Sequence, residues 1–277
     1  MILANERIYK RPYLYFDHLS KVYMTPSQKS FVVVEDFDLG VGKGEFVCVI
    51  GHSGCGKSTV LMMAAGLNSC ATGGIFLDDR LIDDSPGPDR GVVFQSPSLF
   101  PWMTALENVL LGVRQVYPHA KEQQRKDMAT YYLQRVGLKD ALHKRAADLS
   151  NGMKQRVGIA RAFALRPKLL LLDEPFGMLD SWTRVELQEI LLEVWHTEKI
   201  TAVMVTHDVD EAIFLSDRVV MMTSGPRAKV GDILTIDLDR PRDRKGIMED
   251  QRYYHYRGHL IGFLENAGHQ SAQVSGV

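Results

Sequence analysis

The sequence predicts an α/β fold in which a helical block is inserted between strands. An apolar run, "EFVCVI" (45–50), stops at a glycine-rich stretch and is followed by a helical pattern from Lys57 to about Gly66. The pattern then becomes helical from about residue 97 to 165. Continuous apolar runs, typical of buried parallel strands, return at 168–175, 201–208 and 217–223.

The bulk composition is that of an ordinary globular protein. The 277 residues can bury one large core or two modest ones. A formal net charge of −1 gives no global electrostatic reason to expect nucleic acid as a partner. The cysteines, Cys48, Cys55 and Cys70, are too few and too irregularly spaced for a disulfide framework or a metal site, so a reducing cytosolic compartment fits best.

The sequence contains no obvious signal peptide or membrane span. The N-terminal stretch "MILANERIYKRPYLYFDH" is charged and lacks a long apolar centre. No uncharged apolar run approaches the ~20 residues needed to cross a bilayer. We therefore expect that any work at a membrane depends on other subunits that cross it.

Local patterns predict further elements. Strands are expected at 13–16 and 31–34, on either side of the turn-rich "TPSQKS". Thr104 and Glu107 form a capping-box pattern at the start of one helix, and "AKEQQRKDMATYYLQRVG" predicts a long polar helix after it. After about residue 240 we expect an amphipathic segment at 249–266, followed by disorder in "GHQSAQVSGV".

The stretch "GHSGCGKS" (51–58) matches G-x-x-x-x-G-K-[ST] without a mismatch. Its glycines let consecutive N–H groups point at phosphate oxygens, and the following helix adds the positive end of its dipole. Lys57 would neutralise the β- and γ-phosphates, and Ser58 would ligate Mg²⁺. A chance glycine-rich turn is the alternative, but the strand before it and the helix after it favour phosphate binding.

Acidic and imidazole side chains follow two of the predicted strands. The run "LLLLDE" places Asp173 at a strand end, near a Mg²⁺ shell, and Glu174 could polarise an attacking water. Two solvated acids capping a strand are the alternative. "VMVTHD" delivers His207 to a second strand end, although a lone histidine is more often structural.

These motifs, in this order, resemble the ATPase subunit of ABC transporters over about residues 13–235. The resemblance implies ATP and Mg²⁺ as cofactors. It also implies a P-loop NTPase (RecA-like) core with an inserted α-helical subdomain at about 97–165 and an N-terminal antiparallel β subdomain. The ATPase domain would span 13–240, and 241–277 would form a C-terminal tail.

The resemblance implies a role for each motif residue. Tyr23 would stack on adenine, although a tyrosine after a strand is more often a packing residue. Gln95, in "VVFQSPSLFPW", would join Glu174 and His207 in catalysis, and "FGMLD" resembles the D-loop that ends in Asp180. The implied Mg²⁺ ligands are Ser58, Gln95 and Asp173. The implied ATP contacts are Tyr23, Gly51, His52, Ser53, Gly54, Cys55, Gly56, Lys57, Ser58 and Thr59.

"LSNGMKQR" falls where the ABC signature belongs, with Leu149, Ser150, Asn151, Gly152 and Met153 as its turn. The family arrangement is a head-to-tail dimer in which this turn contacts the ATP of the partner chain. Ser150 is a good N-cap, so the N–H groups that follow it can meet a γ-phosphate. Asn151 and Met153 depart from L-S-G-G-Q. Asparagine tolerates positive φ, so we expect the turn to survive.

Within the family, the signature and "MMTSGPRAKVGDIL" look most like the nitrate/sulfonate/taurine importer group and closest to its nitrate-type branch. We expect inward transport of a small anion. Nitrate or nitrite is the first candidate, and bicarbonate, cyanate and sulfonate/taurine are the alternatives. The implied partners are transmembrane permease subunits, a solute-binding protein acting indirectly, and a second ATPase subunit that is either a homologue or a second copy. The expected place is the cytoplasmic face of the plasma membrane.

A soluble, non-transport ABC ATPase is the alternative from another class. The DNA-repair and chromosome types need a long coiled coil between Lys57 and Ser150, and that stretch lacks sustained heptads. Glu174 and His207, both present, count against a non-hydrolysing binder.

Cys55 lies inside the phosphate-binding motif. The helix dipole and Lys57 could lower its pKa, so that thiol modification would block ATP binding. The alternative is a small residue that merely fits the loop.

Overall fold

Two sheets organise the part of the chain that the computed structural model describes, residues 11–24, 29–82 and 84–274. The strands in chain order are β1 (Leu14–Met24), β2 (Ser30–Val41), β3 (Phe46–Ile50), β4 (Thr72–Leu77), β5 (Arg80–Leu81), β6 (Arg90–Val93), β7 (Leu169–Asp173), β8 (Thr201–Val205), β9 (Arg218–Met222) and β10 (Val230–Thr235). The helices are α1 (Lys57–Ala64), α2 (Ala105–Val116), α3 (Glu122–Arg135), α4 (Asn151–Ala164), α5 (Ser181–Glu198), α6 (Val209–Leu215), α7 (Arg244–Glu249) and α8 (Gln251–Val274).

The larger sheet has six strands in the order β10-β9-β3-β8-β7-β6. Its strands are parallel except for β10, which pairs antiparallel with β9 at one edge. Both faces are buried: Leu170 and Leu172 of β7 belong to one core cluster, and the alternating Leu169 and Leu171 belong to the other. This two-sided burial explains the continuous apolar runs, and the strands predicted at 45–50, 168–175, 201–208 and 217–223 are confirmed as β3, β7, β8 and β9.

The smaller sheet is antiparallel, in the order β2-β1-β4-β5. The strands predicted at 13–16 and 31–34 lie inside β1 and β2, which are longer than expected. Residues 25–28 of the turn-rich segment between them lie outside the described residues. The sequence did not signal β4, β5, β6 or β10, because they are short or largely exposed and lack a clear apolar period.

Helix α1 packs between the two sheets. Val60, Leu61 and Ala64 of α1 share one core cluster with apolar residues of β1, β2, β3 and β7. Phe16 and Phe37 make an edge-to-face contact in that cluster, with ring centroids 5.6 Å apart. The helix that follows the glycine-rich stretch is therefore held from both sides.

The predicted helices of the inserted block are confirmed as α2, α3 and α4, which lie in sequence between β6 and β7. The capping box forms as expected: Glu107 N–H donates to Thr104 Oγ1 (3.2 Å), and Thr104 N–H donates to Glu107 Oε2 (2.8 Å). Tyr132 of α3 is buried and stacks on Phe163 of α4. The block therefore has its own apolar interior, continuous with the cluster on one face of the large sheet.

The tail is more ordered than we expected from its polarity. The prediction of disorder from residue 268 is wrong through Val274, because α8 continues to that residue, and only 275–277 lie outside the described residues. Leu260 is fully buried and Tyr253, Tyr256 and Ala267 are nearly so, which seats the helix on the core. Once a helix is seated, each further residue adds a hydrogen bond at little cost. In the described part of the chain, no helix combines the length and the apolar character that a membrane crossing requires.

A buried guanidinium ties the start of the tail to the end of α6 and to the segment after β10. Arg242 donates to the main-chain oxygens of Ile213, Phe214, Ser216, Ile236 and Leu238. Burial, and then the nearby charge of Arg240, lowers the pKa of Arg242 to about 10. A methionine of similar length would leave those carbonyls without this donor.

We therefore expect Arg242→Met to lower the free energy of unfolding by about 2–4 kcal/mol, measured by urea denaturation. Arg252→Met is the matched control, because Arg252 forms an ion pair with Asp250 in which its own side chain is 47% exposed. If the two variants unfolded at the same urea concentration, the structural role of Arg242 would be contradicted.

Candidate nucleotide-binding site

The phosphate loop, residues 51–58, connects β3 to α1 as predicted. Gly54 and Gly56 have φ of 79° and 101°, which side chains disfavour. A Cβ on Gly56 would also lie 2.7 Å from Val34 Cγ2, so only glycine fits there. Gly56 caps α1 without a side chain, and the first N–H groups of the helix are left for a ligand.

The loop encloses the ammonium group of Lys57. Nζ donates to the main-chain oxygens of Gly51 (2.8 Å) and His52 (2.9 Å), and the residue is only 6% exposed. The charge is therefore held by the loop's own backbone, next to the N-terminal end of α1.

Ser58 and Asp173 lie side by side. Ser58 Oγ donates to Asp173 Oδ1 at 2.7 Å. Burial, reinforced by the charge of Glu174, raises the pKa of Asp173, while the Ser58 hydrogen bond and Lys57 oppose the rise. A hydroxyl next to a desolvated carboxylate is an oxygen donor pair of the kind that Mg²⁺ prefers.

Glu174 is the centre of the proposed catalytic group. Its Oε2 lies 3.2 Å from His207 Nδ1 and 3.5 Å from Gln95 Nε2, so the structure brings these predicted residues together. Glu174 has φ of 42°, an uncommon conformation for a non-glycine residue, and its N–H donates to Val205 O (2.9 Å). The end of the β7–β8 ladder thus turns its carboxylate toward His207.

A buried carboxylate that sequence reasoning missed lies next to the segment that carries His207. Glu211 Oε2 accepts from Thr206 Oγ1 (2.6 Å), and its Oε1 accepts from Gln188 Nε2 (2.8 Å). Burial raises the pKa of Glu211. Its only sequence signal is a place in the first turn of α6, which does not distinguish a buried acid from a solvated one.

The cavity beside the loop has a volume of about 580 Å³. It is lined by Val33, Ser53, Gly54, Gly56, Lys57, Ser58, Thr59, Glu174 and His207. Of the other predicted ATP contacts, Gly51 and Cys55 pack inside the loop, since a Cβ on Gly51 would lie 2.9 Å from Cys55 Sγ. Several of the predicted phosphate-binding residues therefore share one cavity with Glu174 and His207, whereas Gln95 does not line it.

Cys55 is 1% exposed, and the expectation of a lowered pKa is wrong. Burial raises the pKa of its thiol, and this effect exceeds the lowering by Lys57 and by backbone hydrogen bonds. The residue is a small apolar filler of the loop.

Tyr23 does not line this cavity. It lies opposite Phe31 in the β1–β2 ladder, and its hydroxyl accepts from Asn68 Nδ2 (2.5 Å). Phe31, which sequence reasoning did not single out, lines a second cavity of about 280 Å³ together with His52, Ser53 and Gly54. The aromatic ring beside the loop is therefore that of Phe31.

The signature turn, residues 149–153, begins α4. Ser150 is its N-cap, as predicted, and Ser150 Oγ accepts from Met153 N–H (3.2 Å). Asn151 is the first residue of the helix, and its φ is not positive. The expected reason for the survival of the turn, that asparagine tolerates a positive φ, was therefore wrong. No acidic side chain lies in the first turn of α4, which leaves its positive end uncompensated.

The signature turn meets α5, the helix that follows the segment resembling a D-loop. A Cβ on Gly152 would lie 2.6 Å from Thr183 Cγ2 of α5. Asp180 is the N-cap of α5, and the hydrogen bond from Thr183 N–H (3.1 Å) lowers the pKa of Asp180. Asn151 and Gln95 line a separate cavity of about 300 Å³, and among the described residues none of the signature turn lines the phosphate-loop cavity.

Residues 34–177 match the family model described as ABC transporter. This chain belongs to the ABC transporter family. It is 50% identical to the nitrate import ATP-binding protein NrtD of Synechococcus elongatus, with 91% of each chain covered. It is 51% identical to the bicarbonate transport ATP-binding protein CmpD of the same organism, with 92% of this chain and 91% of CmpD covered. Among solved structures, the dimeric post-hydrolysis ATP-binding cassette MJ0796, bound to ADP and Pi, superposes with a TM-score of 0.73. Its identity is 29%, over 82% of this chain and 100% of that chain.

These matches confirm the predicted P-loop ABC ATPase fold and its enzymatic class, an ATPase that couples hydrolysis to transport. A longer relative, the nitrate import ATP-binding protein NrtC of S. elongatus, is 49% identical over 91% of this chain but only 38% of its own length. Nothing in these relatives favours the soluble, non-transport alternative.

The contact at Gly152 yields a stability prediction. We expect Gly152→Ala to lower the free energy of unfolding by about 1–3 kcal/mol, because the new methyl group overlaps Thr183 Cγ2. Adding Thr183→Ser removes that methyl, keeps the hydroxyl, and should restore most of the loss in a double-mutant cycle. Additive losses would show that the two side chains do not meet.

Proposed function

We propose that this chain is the ATP-hydrolysing subunit of an importer for a small anion, with nitrate or nitrite as the first candidate for that anion. The observation that carries the proposal is Glu174, whose carboxylate is hydrogen-bonded to His207 beside the phosphate loop. A lysine that can bind phosphate and an acid that can activate water, held by an imidazole at the end of a buried parallel sheet, form a group able to hydrolyse a phosphoanhydride.

The phosphate loop would bind the triphosphate through its N–H groups and Lys57. Ser58 and Asp173 would hold Mg²⁺, with Gln95 as a further proposed ligand, and the bound ion would neutralise phosphate charge. Glu174 would accept the proton of the attacking water. His207 would hold the carboxylate in place by donating Nδ1–H to Oε2, the geometry already present.

The adenine ring would lie against the cross-strand pair formed by Tyr23 and Phe31. The two residues are directly opposite each other, and Phe31 lines the cavity next to His52 and Ser53. Both rings are partly exposed, at 41% and 49%, so each has apolar surface available for stacking.

The signature turn would contact the ATP of a second ATPase subunit in a head-to-tail dimer, with Asp180 at the same interface. The positive end of α4, which has no acidic side chain in its first turn, and the dimeric MJ0796 relative support this arrangement. The partner is either a homologous, longer subunit of the NrtC kind or a second copy. Permease subunits would hold the pair at the cytoplasmic face of the plasma membrane, with a solute-binding protein acting indirectly.

Replacing the catalytic acid tests the reaction. We expect Glu174→Gln to keep ATP binding and to reduce ATP turnover at least about 100-fold, because the amide cannot accept a proton from water. Glu193→Gln is the control, since that carboxylate is 67% exposed in an ion pair with Arg135. Turnover close to that of the unmodified chain for Glu174→Gln in the assembled transporter would refute the assignment.

The solute needs its own experiment, because NrtD and CmpD are almost equally similar to the chain. We expect the transporter, reconstituted with its solute-binding protein, to hydrolyse ATP faster with nitrate or nitrite than with bicarbonate, cyanate or taurine. Stimulation by bicarbonate, cyanate or taurine alone would replace nitrate by that anion and leave the ATPase assignment intact.

A further inference from the structure

The C-terminal helix α8 contacts the phosphate loop directly. His52 Nε2 lies 2.6 Å from the main-chain oxygen of Leu264. A carbonyl oxygen can only accept, so Nε2 carries the hydrogen and donates it. The helix therefore holds a side chain of the loop itself.

The contact with α8 is connected to Lys57 through His52 alone. The main-chain oxygen of His52 accepts from Lys57 Nζ (2.9 Å) and from Cys55 N–H (3.3 Å). The imidazole that α8 fixes belongs to the same residue whose carbonyl positions the ammonium. A shift of His52 would thus move a carbonyl that holds the lysine.

A second contact reaches the loop through the turn after β9. Ser224 Oγ donates to the main-chain oxygen of Ala267 (2.7 Å). The adjacent Gly225 packs on the loop, since a Cβ there would lie 3.5 Å from Gly54 O. Leu264 and Ala267 are three positions apart, so both carbonyls lie on the same side of α8.

The other end of α8 holds the helix that follows His207. Asp210 Oδ1 accepts from Tyr253 OH (2.7 Å) and from Arg257 Nε (3.0 Å). Asp210 lies in the first turn of α6, directly after the strand end that carries His207. Tyr253 is 8% exposed, so this contact is close to the core.

The helix between these ends is firmly seated. Leu260 is fully buried, and Phe263 packs against Gly231 of β10, where a Cβ would lie 2.6 Å from its ring. His259 Nε2 pairs with Asp232 Oδ2 of the same strand (2.8 Å). One helix therefore contacts both the phosphate loop and the first turn of α6, which follows His207.

We propose that α8 is a positioning element of the ATPase site, which holds the phosphate loop through His52 and the His207 segment through Asp210. The proposal rests on the function proposed above, that residues 51–59 bind ATP. His52 and Asp210 act through Lys57 and His207 and are positioning residues. The two contacts should have separable effects, on ATP affinity at one end and on turnover at the other.

The His52 end is tested in the full-length chain. We expect His52→Ala to weaken ATP binding about tenfold, the scale of one lost hydrogen bond, and His52→Gln to restore it because the amide offers a donor at similar reach. A chain ending at residue 263 should show the same loss, whereas a chain ending at 268 keeps Leu264 and Ala267 and should bind normally. His52→Ala in the chain ending at 263 should add little further loss.

The Asp210 end is tested in the assembled transporter. We expect Tyr253→Phe combined with Arg257→Met to lower kcat several-fold with little change in KM for ATP. Tyr254→Phe is the matched control, because Tyr254 is 61% exposed and its hydroxyl donates only to Met248 O. Melting temperatures measured in parallel separate this effect from a loss of folding.

Lys57→Ala separates the two proposals. Loss of ATP binding in Lys57→Ala with unchanged binding in His52→Ala would overturn the role of α8 and leave the proposed function standing. Normal binding in Lys57→Ala would refute the proposed function itself. Equal behaviour of His52→Ala and His52→Gln, or fully additive losses in the shortened chain, would also overturn the positioning role. If the chain ending at 263 does not fold, the comparison of His52→Ala with His52→Gln in the full-length chain decides whether α8 positions the loop.

Discussion

Parallel pairing of four neighbouring strands is the constraint on which the rest of the structure depends. In the order β3-β8-β7-β6, all strands run the same way, so their carboxyl ends meet at one edge of the sheet. The phosphate loop follows β3, His207 follows β8, and Gln95 follows β6. Asp173 ends β7, and Glu174 comes directly after it. Residues far apart in sequence thus reach hydrogen-bonding distance without any long-range signal in the chain.

The charges at this edge are arranged so that each has a fixed neighbour. Lys57 is held by main-chain oxygens, Asp173 by Ser58, and Glu174 by His207 and Gln95. Burial raises the pKa of Asp173, which marks a carboxylate whose charge a cation would stabilise. Around this centre, Glu211 accepts a hydrogen bond from Thr206, the residue before His207, and α8 contacts His52 of the loop. In the role proposed for α8, such contacts would keep reacting groups in place without contacting substrate.

Motif chemistry was predictable because it depends on local backbone. The glycines of the phosphate loop, the capping box at Thr104 and the N-cap at Ser150 each act within a few residues, and all formed as expected. Features that depend on distant contacts were not predicted. A Cβ on Gly152 would overlap Thr183 of α5, and the ring of Phe31 lies beside the loop. The expectation for Cys55 was wrong, because its burial in the loop raises its pKa.

The sequence by itself determined the fold class, the family, the glycine-rich loop with the acidic residues at a strand end, and the positions of four buried strands along the chain. These follow from apolar runs, glycine positions and capping residues, which are read along the chain. Only the tertiary structure decided that α8 continues to Val274, that it reaches His52 and Asp210, and that Glu211 is buried with a hydrogen bond from Thr206. The reason is physical, because burial and hydrogen bonding between distant segments depend on how the elements pack. The sequence of a polar tail does not indicate which surface of the protein it will pack against.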